Sequence, residues 1–247
     1  MSRYFLEVAY KGTHYSGFQV QENAVTIQSE IEGALKTIQR VPIRLTGSSR
    51  TDAGVHALQN YFHFDFEESL HSQLVYKLNA LLPSDIVIKN LHLMPDTAHS
   101  RFDALHREYE YHIYRYKNPF LKETGFYYPY SVDMDLIHQA SAIVREQTNF
   151  FAFAKTNSQV SNFICTIYKS EWRQDGEELI HYIVANRFLR GMVRLLTATI
   201  LQVGRGKLSI EAFNDLFKEE PPKCSFSIPP TGLFLKKVVY SQNYFTH

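Results

Sequence analysis

Asp52 is the residue of this chain around which chemistry can be built. It lies in the run Gly47-Ser48-Ser49-Arg50-Thr51-Asp52-Ala53-Gly54-Val55-His56-Ala57, after an arginine and before a glycine. A carboxylate so placed can add to an electrophilic carbon, take a proton, or cap the backbone of a turn; the last is what a loop aspartate ordinarily does. Upstream, Ile43 and Leu45 predict a short strand. Downstream, Leu58, Asn60, Phe62, Phe64 and Phe66 alternate with Gln59, Tyr61, His63 and Asp65, which predicts a longer one. The Asp52 loop is therefore expected between two strands, held by a rigid sheet, with Gly54 free to take positive φ or to let the backbone approach a ligand.

Other residues of suitable type fall later in the chain. Arg187, Arg190 and Arg194 recur at spacings that would align them on one face of a long helix from Arg187 to Gln202, giving either a solvated basic face or an anion site. Tyr109 and Tyr111 stand two apart on an expected strand, hence on one face, where a ring can pack in the core or stack on a base. Cys165 and Cys224 are far apart and lack a Cys-x-x-Cys partner, so neither a disulfide framework nor a zinc ribbon is indicated. His56, His63, His106 and His112 show no metal-ligand spacing, and no cofactor is required by anything in the sequence.

These residues need elements to hold them. Tyr4 to Tyr10 alternate as a strand; Ile27, Ile31, Leu35 and Ile38 repeat at helical spacing behind a Thr26 N-cap; Leu74, Leu78 and Leu81 predict a second helix and Ile86 to Leu93 a further strand. With the two strands around Asp52 the order is β-α-β-β-α-β. The second part opens with a strand over Glu108 to Tyr116. A helix carrying Leu136, Ala140 and Ile143 follows, then strands over Cys165 to Arg173 and Leu179 to Ala185, the long helix, a shorter one near Ile210 to Phe217, and a strand from Leu233 to Tyr240. Each half reads as a split β-α-β unit, residues 1–104 and 105–247.

Composition sets bounds. At 247 residues and 45% hydrophobic, the chain can bury one large core or two modest ones. No apolar run is long enough to span a bilayer and no signal-peptide core follows Met1, so a cytoplasmic protein with no membrane role is expected. The net charge is only +1, with −2 over residues 1–104 and +3 over the rest, a slight asymmetry for a protein that would grip a polyanion.

The Asp52 run resembles the motif that marks the TruA family of tRNA pseudouridine synthases, and the resemblance continues in order through nearly the whole chain. It includes Tyr10-Lys11-Gly12-Thr13 with Gly17-Phe18-Gln19-Val20-Gln21, Leu78-Asn79 with Leu82-Pro83-Ser84-Asp85-Ile86, and His99-Ser100-Arg101-Phe102-Asp103-Ala104. Arg107-Glu108-Tyr109-Glu110-Tyr111, Phe188-Leu189-Arg190-Gly191-Met192-Val193-Arg194 and Pro229-Pro230-Thr231-Gly232-Leu233-Phe234-Leu235 complete it. The resemblance implies an α+β pseudouridine synthase fold, two ferredoxin-like halves sharing an extended, mostly antiparallel sheet with a central cleft, and a homodimer. It puts Asp52 on the catalytic aspartate, Tyr109 on the active-site tyrosine and Arg194 on an active-site arginine that would keep the carboxylate charged and oriented. Arg50, Tyr111 and Arg190 are added as substrate-binding residues. The implied substrate is a uridine of the tRNA anticodon stem-loop, at about positions 38 to 40, extruded from its stack before reaction.

The sequence departs from the family pattern at Ser49, usually Gly; Phe18, usually Trp; Lys11, usually Asp; Thr148-Asn149, usually His-Asp; Cys165, usually Arg; and Ala198, usually Gly. Two other readings stand beside the isomerase. One is an RNA-binding paralogue without catalysis. The other is a glycoside hydrolase, which would need a second acid near Asp52, with Asp65 or Asp103 the available ones.

Overall fold

The computed structural model describes residues 1–155, 161–218 and 221–245. The chain divides into two compact units, the first formed by Met1–Leu105 and Phe234–His247, the second by His106–Leu233.

In the first unit, β1 (Ser2–Tyr10) is followed by α1 (Ile27–Gln39), β2 (Thr46–Gly47), β3 (His56–Phe66), α2 (Leu74–Leu81) and β4 (Ile86–Met94), the expected β-α-β-β-α-β order. β1 lies between β4 and β3, antiparallel to both, and β2 pairs antiparallel with the start of the Phe62–His63 stretch of β3. Phe5, Leu6 and Val8 of β1 are fully buried, as the central strand of a sheet covered on both faces requires. Thr26 caps α1: its hydroxyl accepts from Ser29 N while the Ser29 hydroxyl accepts from Thr26 N, a reciprocal capping box, and Ile27, Ile31 and Leu35 face the core. The last strand, β9 (Leu233–Val239), returns to this unit. It pairs in parallel with β3 at His56↔Phe234 and Ala57↔Leu235, and Val238 N donates to Gln59 Oε1.

One strand differs from expectation. Ile43 and Leu45 are buried but form no ladder, which is confined to Thr46–Gly47. The reason lies in α1: Leu45 N donates to Glu32 Oε1 and Leu45 O accepts from Gln28 Nε2, so helix side chains take the backbone groups that a strand partner would have used.

In the second unit β5 (His106–Tyr114) and β7 (Ile167–Asp175) flank β8 (Glu178–Ala185), antiparallel throughout, and β6 (Phe126–Tyr127) adds a short parallel pairing to β5. α3 (Met134–Glu146) packs on β7 and on α4 (Met192–Gly204), and α5 (Ile210–Asp215) closes the layer. α3 buries Ile137, Ala140, Ser141 and Val144, a face one step round from the predicted Leu136, Ala140 and Ile143. The predicted long helix begins late, at Met192. Gly191 precedes it at φ +75°, a left-handed turn that sets Arg187 and Arg190 outside the helix and breaks the expected alignment with Arg194. Among the described residues, no helix is long and apolar enough to cross a membrane.

The core of this unit holds an imidazole. His181 is fully buried between the hydroxyls of Ser170 and Thr197, 3.1 and 2.8 Å away, and stacks on Trp172 at 4.5 Å. Burial pulls its pKa down to about 3. Above pH ~6.5 the imidazole is neutral whether folded or not. Below it the unfolded chain takes a proton that the folded one refuses, so this contribution to stability is lost as pH falls from ~6.5 toward the folded value. The urea midpoint of the parent should therefore drop between pH 7 and pH 5 by more than that of His181→Asn. Equal drops would show that His181 does not remain neutral in the fold.

Candidate active site

Asp52 sits half-buried on the loop between β2 and β3, and the loop is clamped on every side within its own unit. Ser48 N donates to Tyr61 O at 2.8 Å, carrying the ladder one residue past β2. The buried Asn60 holds the next step: its Nδ2 donates to Ser49 O at 2.8 Å and to the Tyr10 hydroxyl at 3.2 Å, and its Oδ1 accepts from Tyr61 N. Tyr10 in turn shares a 2.8 Å hydrogen bond with the Thr51 hydroxyl. Thr51 O accepts from Phe18 N, and Asp52 O accepts from Val55 N across Gly54, whose φ of +78° makes the turn possible. The backbone on both sides of the carboxylate is thus fixed by buried hydrogen bonds, the support a reacting group needs if its geometry is to be set before substrate arrives.

The opening loop is the underside of this construction. Gly17, at φ +100°, brings its backbone against Thr51 and Ala53, and a Cβ at Gly12 would lie 2.0 Å from Val55 O. Gly12 N donates to His56 Nδ1 at 3.0 Å, so that nitrogen is an acceptor, and the ring rests on Phe234 at 4.6 Å. Phe18 is 1% exposed and stacks on Phe62 at 4.3 Å, while a Cβ on Gly47 would strike its ring. The departures at Lys11, Phe18 and Ser49 therefore lie in the support of the loop: Lys11 N is tied to Asp85 O, Ser49 O to Asn60, and the Phe18 ring to the core.

Gly12→Ala should cost at least about 2 kcal/mol, because the obstructing atom is backbone and the Asp52 loop must move. Gly33→Ala, exposed within α1 with nothing within 4 Å of a new Cβ, should be neutral or gain about 0.5–1 kcal/mol. Denaturant melts of the two variants check this pair; similar stabilities would contradict the close approach at Val55.

The two acids considered as partners for Asp52 are otherwise engaged. Asp65 makes a bidentate pair with Arg3, both bonds 2.7 Å, which holds its carboxyl below the usual range. Asp103 Oδ2 accepts from His99 N and from the Tyr244 hydroxyl. Arg50 is exposed on the Asp52 loop itself.

In the second unit, Tyr109 and Tyr111 share a face of β5 as expected, but their surroundings differ. Tyr111 is fully buried, its hydroxyl donates to Pro229 O at 2.7 Å, and a Cβ on Gly232 would meet its ring. Its phenol is pushed up by burial, against a smaller opposing effect of Arg194. Tyr111 thus packs as a core ring of its unit. Tyr109, 8% exposed, meets Phe188 edge-on at 5.1 Å. Arg194 stands in the first turn of α4, half-buried, with Nε donating to Ile228 O at 2.7 Å and Nη2 3.5 Å from Ser227 Oγ. That contact leaves the Nη1–Nη2 edge of the guanidinium as the one that can meet a carboxylate in bidentate fashion. Arg190 is exposed, just before the Gly191 turn, and its carbonyl accepts from Lys155 N.

Two departures from the family pattern turn out to be neighbours. Cys165 N donates to Thr148 O at 2.9 Å, and Asn149 Oδ1 caps Phe151 N. Cys165 is fully buried and its thiol is pushed up to about 11, so it serves as a packed apolar group.

The residues that the sequence did not single out are Asn60 and Thr51, with Tyr10 quoted only as part of a motif. A signal existed for Asn60. It is the polar member of a set, Leu58, Phe62, Phe64 and Phe66, otherwise wholly apolar, and a polar group at a core position must have hydrogen-bond work.

A family model described as tRNA pseudouridine synthase matches residues 7–103 and 147–241. A tRNA pseudouridine synthase A of Parabacteroides distasonis is 38% identical over 249 residues, covering 99% of this chain and 98% of the relative. The Bacteroides fragilis protein of the same name is 40% identical, covering 99% of each, and that of Staphylococcus aureus is 33% identical over 98% of this chain and 92% of the relative.

Proposed function

The chain belongs to the tRNA pseudouridine synthase family, and on that premise we propose that it isomerises uridines in the anticodon stem-loop of tRNA, at about positions 38 to 40. The observation that carries the reading is the Asp52 loop, where one carboxylate is held by buried hydrogen bonds to the residues before and after it. The reaction breaks the N1–C1′ bond of uridine, turns the ring and joins C5 to C1′. A proton leaves C5 and one is gained at N1, so mass and redox state are unchanged and no cofactor takes part.

Asp52 acts as the nucleophile or base: its carboxylate adds to C6 or C1′, or assists proton loss, and is released at the end. By the family motif it matches, Arg194 orients the reacting carboxylate through the Nη1–Nη2 edge of its guanidinium. Tyr109 meets the uracil ring. Arg50 and Arg190, both exposed, contact RNA phosphates or the space left by the extruded base. The unit of Met1–Leu105 and Phe234–His247 carries the aspartate, and that of His106–Leu233 the tyrosine and arginine. The protein works in the cytoplasm as a homodimer, and sedimentation of the purified protein checks the assembly.

The test is incubation with unmodified tRNA and no added cofactor, followed by carbodiimide labelling and reverse transcription. Stops in the anticodon arm support the reading. tRNA that is bound but unaltered would favour an RNA-binding paralogue, and stops elsewhere would move the target.

A further inference from the structure

Beside the Asp52 loop, in the same unit, lies a cavity of about 250 Å³ whose rim carries Arg50, Arg101, His99 and Phe102, with Gln28 and Thr46 on its wall. Phe102 is 74% exposed. A lone exposed aromatic is common and means little. This one is held in place. The His99 ring lies tilted against it at 4.2 Å, the Arg101 guanidinium lies 5.7 Å from its centroid, and His99 Nδ1 accepts from both Arg101 N and Phe102 N. Asp103 fixes the start of the segment through His99 N, and is itself held by the Tyr244 hydroxyl. An aromatic face is thus kept in solvent by a preformed loop, next to two cations and a concavity below the ~300 Å³ at which drug-sized ligand sites begin.

That combination of one aromatic face, flanking guanidinium groups and a small cavity matches a single unstacked nucleotide better than a duplex, which would meet phosphate contacts only. Arg50 is two residues from Asp52, a chain distance of at most about 7 Å, so the nucleotide held here neighbours the one that reacts. We infer that Phe102, with Arg50 and Arg101, forms a stacking subsite for an unpaired RNA base adjacent to the target uridine. The assignment rests on the proposed reaction for its word "adjacent" and on the geometry alone for its ligand class.

The experiment uses the full-length protein and anticodon stem-loop RNA carrying 2-aminopurine in turn at each position flanking the converted uridine. Stacking quenches this base. The parent should quench it severalfold at one flanking position; Phe102→Ala should lose the quench and bind the RNA about tenfold more weakly, and Phe102→Trp should keep both, all with unchanged melting temperature. Absence of a position-specific quench in the parent, or a Phe102→Ala variant whose quench and Kd match the parent within twofold, overturns the subsite. So does a loss confined to Arg50→Gln and Arg101→Gln, which would be charge attraction alone. The two readings fail separately. A parent that forms pseudouridine without Phe102-dependent quenching loses only the subsite; one that quenches through Phe102 but forms no pseudouridine loses only the reaction.

Discussion

Asp52→Asn should reduce pseudouridine formation by at least about a thousandfold while leaving the Kd for tRNA within a few-fold of the parent. The substitution keeps the size and planarity of the side chain and removes its charge and nucleophilicity. The substitution leaves in place the hydrogen bonds that fix the loop backbone: Thr51 with Tyr10 and Phe18, Ser49 with Asn60, and the Asp52 carbonyl with Val55. The phosphate contacts proposed for Arg50 and Arg190 are left in place by the substitution. The expected signature is thus a fall in kcat with intact affinity and an intact melting temperature. Turnover within tenfold of the parent would remove Asp52 from the chemistry. Single-turnover rates on unmodified tRNA beside filter-binding measurements decide it.

Arg194→Lys should lower kcat about a hundredfold, with little change in tRNA affinity. The guanidinium is oriented by its Nε–H, which donates to Ile228 O at 2.7 Å from the first turn of α4. Lysine retains the charge but is a point donor on a flexible stem, and cannot hold the Ile228 carbonyl while offering a planar pair of donors to a carboxylate. A role in charge alone would leave Arg194→Lys near normal and Arg194→Gln crippled. The fork geometry requires both to be impaired, and that pattern in single-turnover rates is the check.

How much could be read before folding varies with the kind of information each feature needs. The β-α-β-β-α-β order of the first unit was legible because it is local: apolar periodicity over Ile27, Ile31 and Leu35, a Thr26 cap, and apolar runs of strand length in β1 and β3. The helix through the arginines starts later than their spacing predicts. Spacing ran on through Arg187 and Arg190, and the Gly191 turn that interrupts it is a backbone event, which a glycine permits without announcing. Leu45 likewise reads as a strand residue, but Glu32 and Gln28 of α1 hold its backbone, a contact between segments that no local pattern encodes.

The site shows the same division. Asp52, Tyr109 and Arg194 stand out as residue types within motifs, and the structure gives each a defined setting within its own unit. Tyr111 was indistinguishable from Tyr109 on a strand with a period of two; only the packing of Gly232 and the Pro229 carbonyl around its ring separates them. Phe102 was hidden for the opposite reason. Its neighbours His99 and Arg101 come from the same loop, but the cavity they edge is closed by Arg50 and Gln28 from elsewhere in the chain.

The central claim is that this carboxylate site isomerises uridine and does not hydrolyse it. When C5 bonds to C1′ the hydrogen on C5 must leave, whereas cleavage of the N1–C1′ bond by water would release uracil and leave C5 untouched. The decisive measurement is therefore made on tRNA carrying tritium at C5 of its uridines, following both label in water and free uracil. The account predicts tritium released to water in step with pseudouridine, no free uracil, and neither signal with Asp52→Asn. Free uracil with its label retained, or release that persists in Asp52→Asn, would contradict it.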